Sequence, residues 1–102
     1  MPRGSSIAGS IRWRLLPHVV LSWKLLGDQY VVYNSGSGHT HVLDPIAALV
    51  IHQLTDRSTE TRELVERIAF LLNIGASEEL YTELEEILWQ LDELSLVESV
   101  IS

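Results

Sequence analysis

Histidines and carboxylates are the residues of this 102-residue chain whose types could do chemistry. His39 and His41 are two positions apart, so on a β-strand they share one face and could form part of a metal site. A zinc site needs three or four ligands, and His18 and His52 are distant in sequence. The chain has no cysteine, which removes thiolate ligands and thiol nucleophiles. We therefore expect no metal and no other cofactor.

Phosphate-binding and catalytic motifs are also lacking. Gly36-Ser37-Gly38 looks like a phosphate cradle, but such a loop needs a helix directly after its glycines, and a strand is predicted here. The carboxylates of Glu85 and Glu86 are more simply a solvated helix face. The sequence contains no nucleophile elbow. We predict that the chain has no catalytic residues and is not an enzyme.

The elements that carry these residues follow from hydrophobic periodicity. Alternating apolar and polar residues predict strands, and Gly27-Asp28 supplies a tight turn between the first two. A glycine-rich segment, residues 34–38, supplies the second turn. The predicted strands cover residues 19–26, 29–33 and 39–43. Together they predict a three-stranded antiparallel meander.

Apolar residues at helical spacing predict three helices after the meander. Asp44 is the expected N-cap of the first helix, Thr61 of the second and Ser77 of the third. The predicted helices run from Pro45 to about Thr55, from Thr61 to about Leu72, and from Glu78 to about Leu94. The fold class is therefore α+β. Residues 1–10 are expected to form a flexible tail, and residues 11–102 a single domain.

The formal net charge of −7 is concentrated in the C-terminal part of the chain. Residues 62–102 contain Arg62 and Arg67 against ten acids, which would repel a phosphate backbone. We expect no binding to nucleic acid. No apolar run approaches the ~20 residues of a membrane span, so we expect no membrane association. Together with the absence of cysteine, this predicts a cytoplasmic protein.

Two features could bind a protein partner. The last strand of a meander has a free edge, whose unpaired N–H and C=O groups are a template for strand addition by a peptide. Trp89 points away from the apolar stripe of the third helix, and exposed tryptophans often anchor interfaces. Residues 11–16 provide the alternative in both cases. They could pair with the third strand as a fourth strand, or fold over Trp89.

The stretch from Trp23 to Pro45 follows the pattern WxLxGDxYVVYNxxSGxTHxLDP. Ala47-Ala48-x-x-Ile51-x-x-Leu54 and Ile87-Leu88-x-x-Leu91-x-x-Leu94-Ser95-Leu96-Val97 continue the likeness. On these residues the chain resembles the PqqD-like peptide chaperones, also called RiPP precursor recognition elements. The closest variety is the one associated with HPr-kinase-like proteins. The chain departs from it at Asp56-Arg57, where an acidic-Gly turn is usual, and in its strongly acidic third helix.

The resemblance implies a winged-helix-like fold and a non-catalytic peptide-binding function. A precursor or leader peptide would add to the third strand, and its apolar side chains would enter a groove beside the third helix. The peptide would then be presented to a modifying or HPr-kinase-like enzyme. The acidic third helix indicates a basic or hydrophobic peptide. The implied contacts are His39, Thr40, His41, Val42, Leu43, Tyr81, Glu85 and Leu88.

Two other functions fit the same sequence. One is a structural or regulatory subunit that uses Trp89 and the strand edge for self-association or partner docking, as a monomer or homodimer. The other, less favoured, is a winged-helix DNA-binding protein, which would need a basic helix that this chain lacks.

Overall fold

The computed structural model describes residues 11–17 and 19–101, with the side chain of Ile101 outside that description. The predicted flexible tail, residues 1–10, also lies outside the described residues. Within them the chain alternates between two sheets and a layer of helices. The elements are β1 (Ile11–Leu15), β2 (Leu21–Leu26), β3 (Gln29–Asn34), β4 (His39–Leu43), α1 (Pro45–Gln53), β5 (Thr59–Glu60), α2 (Thr61–Leu72), α3 (Glu78–Glu93) and β6 (Val97–Ile101). The α+β class is confirmed.

The predicted meander is present as a three-stranded antiparallel sheet in the order β2-β3-β4. Two side-chain hydrogen bonds of Asn34 stabilise the turn end of this sheet. Its Oδ1 accepts from the N–H of Gly36 at 2.9 Å and from the N–H of Val20 at 3.4 Å. Gly38 then takes φ +81°, a left-handed conformation that glycine adopts without steric strain.

A second sheet, which the sequence did not predict, has the order β5-β1-β6. β1 is its middle strand, with Trp13 opposite Thr59 of β5 and Ser99 of β6. The predicted return of Leu96 and Val97 onto the core is confirmed, since both are fully buried. Because β1 belongs to this sheet, it is not a fourth strand beside β4.

Two of the three helices begin after the predicted N-cap residue. The Asp44 carboxylate accepts from the N–H of Ala47 at 2.9 Å, and the Ser77 hydroxyl accepts from the N–H of Leu80 at 3.1 Å. The prediction for α2 was wrong by one residue. Its N-cap is Glu60, which makes no side-chain capping bond, and Thr61 is already helical.

The core lies where the helices meet both sheets. α1 packs on β3 and β4, while α3 packs on α2, α1 and β6. Trp13 is the largest buried side chain, and its indole Nε1 donates to the Thr61 hydroxyl at 2.9 Å. Thr61 therefore has a tertiary role instead of the predicted capping role. No helix of the described residues is long and apolar enough to cross a membrane.

Candidate functional site

β4 is an edge strand. It pairs with β3 on one side, and it is the last strand of its sheet on the other. In the part of the chain that the structure describes, no strand pairs with its outer side. The fourth-strand alternative therefore does not apply to residues 11–15, which pair with β5 and β6.

The turn between β2 and β3 determines which backbone groups face which strand. Gly27 has φ +63° whereas Asp28 is not left-handed, so the two-residue connection is a type II′ turn. Such a turn is closed by hydrogen bonding between Leu26 and Gln29. The backbone groups of Gln29 therefore face β2.

Along an antiparallel strand, the N–H and C=O groups of successive residues face opposite sides. The direction at Gln29 therefore also determines the directions in the rest of β3 and in β4. The even-numbered residues of β3 face β4, and Val32 is opposite His41. The backbone groups of His41 therefore bond to β3. The N–H and C=O groups of Thr40 and Val42 point to the outer edge, where a further strand would bind.

Charge distinguishes β4 from the other edge strands. Charged side chains on an edge discourage pairing with another chain. β2 carries Lys24, β5 carries Glu60 and β6 carries Glu98, but β4 carries no Asp, Glu, Lys or Arg. Its edge is therefore the one least protected against strand addition.

The two faces of β4 differ. Thr40 and Val42 lie on the outer face, where Val42 is 60% exposed beside Val31. His39 and His41 lie on the face that α1 covers, with their rings 6.3 Å apart in an edge-to-face arrangement. The Nε2 atom of His41 is buried and has no hydrogen-bond partner among the described residues. An added strand would thus meet exposed Thr40 and Val42 on one side and imidazoles on the other.

The three histidines that the structure describes, His39, His41 and His52, do not gather into a metal site. His52 lies on α1, with its ring stacked on Trp23 at a centroid distance of 4.7 Å. Among the described residues there is no group of three or more His, Asp or Glu side chains placed to hold a metal ion.

The three α3 residues that the resemblance implies as peptide contacts, Tyr81, Glu85 and Leu88, differ in burial. Tyr81 is half-buried, with the Arg62 guanidinium 5.2 Å from its ring centroid, and Glu85 is exposed. The prediction that Leu88 contacts a peptide is wrong, because its side chain is 0% exposed and belongs to the core. A peptide on the surface cannot reach it in this conformation.

The helices pack around β4 differently from what the resemblance implies, which is a groove between β4 and α3. The helix that packs on β4 is α1, and α3 makes its main contacts with α2, α1 and β6. Tyr81 and Glu85 are therefore on a helix whose principal neighbours do not include β4. The five residues of β4 remain together as one continuous edge.

Both interpretations of Trp89, as an exposed anchor and as a ring covered by residues 11–16, hold in part. Its ring meets Trp13 of β1 edge-on, with centroids 5.1 Å apart, so the segment 11–15 does cover one side of it. The side chain nevertheless remains 51% exposed. Trp89 is thus both packed and accessible.

The sequence reasoning missed an apolar pocket of about 220 Å³ between α1, β3 and the end of α2. Pro45, Leu49 and His52 line it at helical spacing, and Tyr30 and Leu72 complete it. The i, i+4, i+7 spacing was a readable signal for a shared face. The approach of Tyr30 and Leu72 to that face could not be read from spacing.

The β4 edge offers backbone donors and acceptors but no reactive side-chain constellation. Its chemistry is that of strand pairing. In comparisons with known proteins, no family model, no curated protein and no solved structure matches this chain.

Proposed function

We propose that this chain is a non-catalytic peptide-binding module. It captures an extended segment, such as a precursor or leader peptide, by strand addition to β4 and presents it to a partner modifying enzyme. The observation that carries the proposal is the outward direction of the Thr40 and Val42 backbone groups on an edge strand without charged residues.

Backbone pairing would supply most of the affinity. An added strand forms hydrogen bonds that do not depend on its sequence, whereas side chains at alternate positions supply specificity. On the exposed face these side chains would lie beside Thr40 and Val42. A segment rich in β-branched or aromatic residues therefore fits this edge best.

The resemblance to PqqD-like peptide chaperones supports the same function from the sequence. It also suggests the partner, a peptide-modifying or HPr-kinase-like enzyme. The absence of cysteine agrees with a cytoplasmic location for such a complex.

The test is amide hydrogen exchange followed by NMR, with and without peptides encoded beside this gene. In the free chain, the amides of Thr40 and Val42 should exchange fast because they face the outer edge. The amide of His41, bonded to β3, should exchange slowly and serves as the internal control. A bound peptide should protect Thr40 and Val42 while leaving His41 unchanged.

Two results would contradict the proposal. One is peptide binding without added protection at Thr40 and Val42, which would place the site elsewhere. The other is failure of every peptide encoded nearby to bind.

Self-association through β4 is the second candidate, because the same unprotected edge could pair with that of another copy. Sedimentation separates the two functions. A monomer at all concentrations excludes pairing between copies, whereas protection of Thr40 and Val42 that rises with protein concentration alone supports it.

A further inference from the structure

The outer face of α3 combines an accessible aromatic ring with an excess of carboxylates. At 100° per residue, the exposed residues of α3 that lie within about 60° (one-sixth of a turn) of Trp89 form a single strip. We call this strip the α3 outer face. Its members are Glu78, Thr82, Glu85, Glu86, Trp89 and Glu93, all of them exposed.

Packing supports one side of the Trp89 ring. Its neighbour Trp13 is only 1% exposed and is itself held by the hydrogen bond from its Nε1 to the Thr61 hydroxyl. The edge-to-face contact, with planes at 87°, therefore fixes Trp89 on one side while half of its surface stays open. A fixed aromatic surface loses little conformational freedom when a ligand binds to it.

The carboxylates of α3 have no cationic partner within the described part of the chain. The ion pairs there involve Glu60, Glu63 and Glu98, which all lie outside α3. Glu78 and Glu86 also line an open cleft of about 450 Å³ along the helix. The outer face therefore carries a net negative charge without an ion pair of its own among the described residues.

The helix dipole accounts for only part of this negative charge. Glu78 lies in the first turn, where it favours the positive end of the helix dipole. Glu93 lies in the last turn, where the dipole disfavours an acid, and no basic residue is present there. The charge of Glu93 therefore destabilises the free helix, and a cation from outside the chain would relieve this.

From this geometry we propose that the α3 outer face binds a cationic protein segment, rich in Arg or Lys. A guanidinium or ammonium group lies over the open face of Trp89, and neighbouring cations pair with Glu85, Glu86 and Glu93. Cation–π attraction is strongest for tryptophan and for arginine, which also pairs with carboxylates in a bidentate manner. The inference does not depend on strand addition at β4.

The test uses a fluorescein-labelled, alanine-based helical peptide with arginine at every fourth position, and its glutamate counterpart. Fluorescence anisotropy measures affinity, and the indole N–H signal of Trp89 in ¹H–¹⁵N spectra reports the location. The arginine peptide should bind, shift that signal, and lose affinity as NaCl rises from about 50 to about 500 mM. The glutamate peptide should not bind.

A charge variant provides the decisive comparison. Glu85→Gln/Glu86→Gln/Glu93→Gln changes exposed side chains only, so the fold should be retained, and the affinity should fall roughly tenfold or more. Asp28→Asn is the matched control, because it removes an acid in the β2–β3 turn and should leave affinity unchanged. Trp89→Gln should weaken binding several-fold.

The inference fails if the arginine peptide does not bind at low salt, if the triple variant binds as well as Asp28→Asn, or if the Trp89 indole signal does not move. None of these results bears on β4, whose readout is the protection of the Thr40 and Val42 amides.

Discussion

Val42 supplies one of the outward-facing backbone N–H groups that strand addition would use. Its backbone N–H points away from β3, so proline there removes a donor from the outer edge without breaking the existing ladder. We expect Val42→Pro to keep a urea midpoint close to that of the parent chain. Its affinity for a peptide that binds the parent should fall roughly tenfold or more.

Two matched variants serve as controls for this measurement. Val42→Thr keeps the N–H and the branched shape, so it should bind peptide normally. His41→Pro removes a donor that faces β3 and should unfold at lower urea. Unchanged peptide affinity in Val42→Pro would show that the outer edge of β4 is not the site.

Thr61 offers a second prediction at the residue scale. Its hydroxyl accepts the buried hydrogen bond from Trp13, so Thr61→Val leaves the indole N–H without a partner. We expect a loss of about 1–3 kcal/mol in the free energy of unfolding, measured by urea denaturation. Thr82→Val, at an exposed position of α3, should change it by less than about 0.5 kcal/mol. Similar losses in the two variants would show that the bond contributes little.

At the scale of elements, the junction between β4 and α1 connects the candidate edge to the core. Asp44 follows β4 directly and caps α1 through the N–H of Ala47. We expect Asp44→Ala to reduce the free energy of unfolding by about 1 kcal/mol, measured by circular dichroism in urea. Asp44→Asn retains a capping oxygen and should keep most of the stability. Equal losses would instead indicate a role for the charge of Asp44 beyond capping.

β1 shows how one element decides the accessibility of two sites. As the middle strand of its sheet, it is held by Arg12, which donates to the Ser58 carbonyl at 2.9 Å, and by Arg14, paired with Glu98 at 2.7 Å. The position of β1 leaves β4 as an edge and places Trp13 against Trp89. The same strand therefore creates the conditions for strand addition and limits the exposure of Trp89.

At the scale of the whole molecule, the net charge of −7 gives the folded state a self-repulsion that salt should screen. Glu83 and Glu86 are three residues apart on α3, where like charges repel. We expect the urea midpoint to rise as NaCl increases. In Glu83→Gln/Glu86→Gln the midpoint should be higher at low salt and less salt-dependent. A midpoint that falls with NaCl would contradict this account.

Local physics made much of the fold predictable. The alternation in β2, the Gly27-Asp28 turn, the caps at Asp44 and Ser77, and the helical stripe from Leu80 to Leu91 each depend on residues a few positions apart. Such signals can be read directly from a sequence. β6 was readable in part, since Val97, Val100 and Ile101 favour a strand, but only the return of Leu96 and Val97 to the core was predicted.

The candidate site was predictable in its type but not in its surroundings. The sequence by itself determined that residues 39–43 form a strand without charge, followed at once by a helix. Only the tertiary structure decided that β1 pairs with β5 and β6, that α1 and not α3 packs on β4, and that Leu88 is buried. Arg14 and Glu98 are 84 positions apart, and nothing in either segment specifies the other. Strand partners and buried helix faces are chosen by how the whole set of apolar surfaces packs together, so these features appear only in the folded chain.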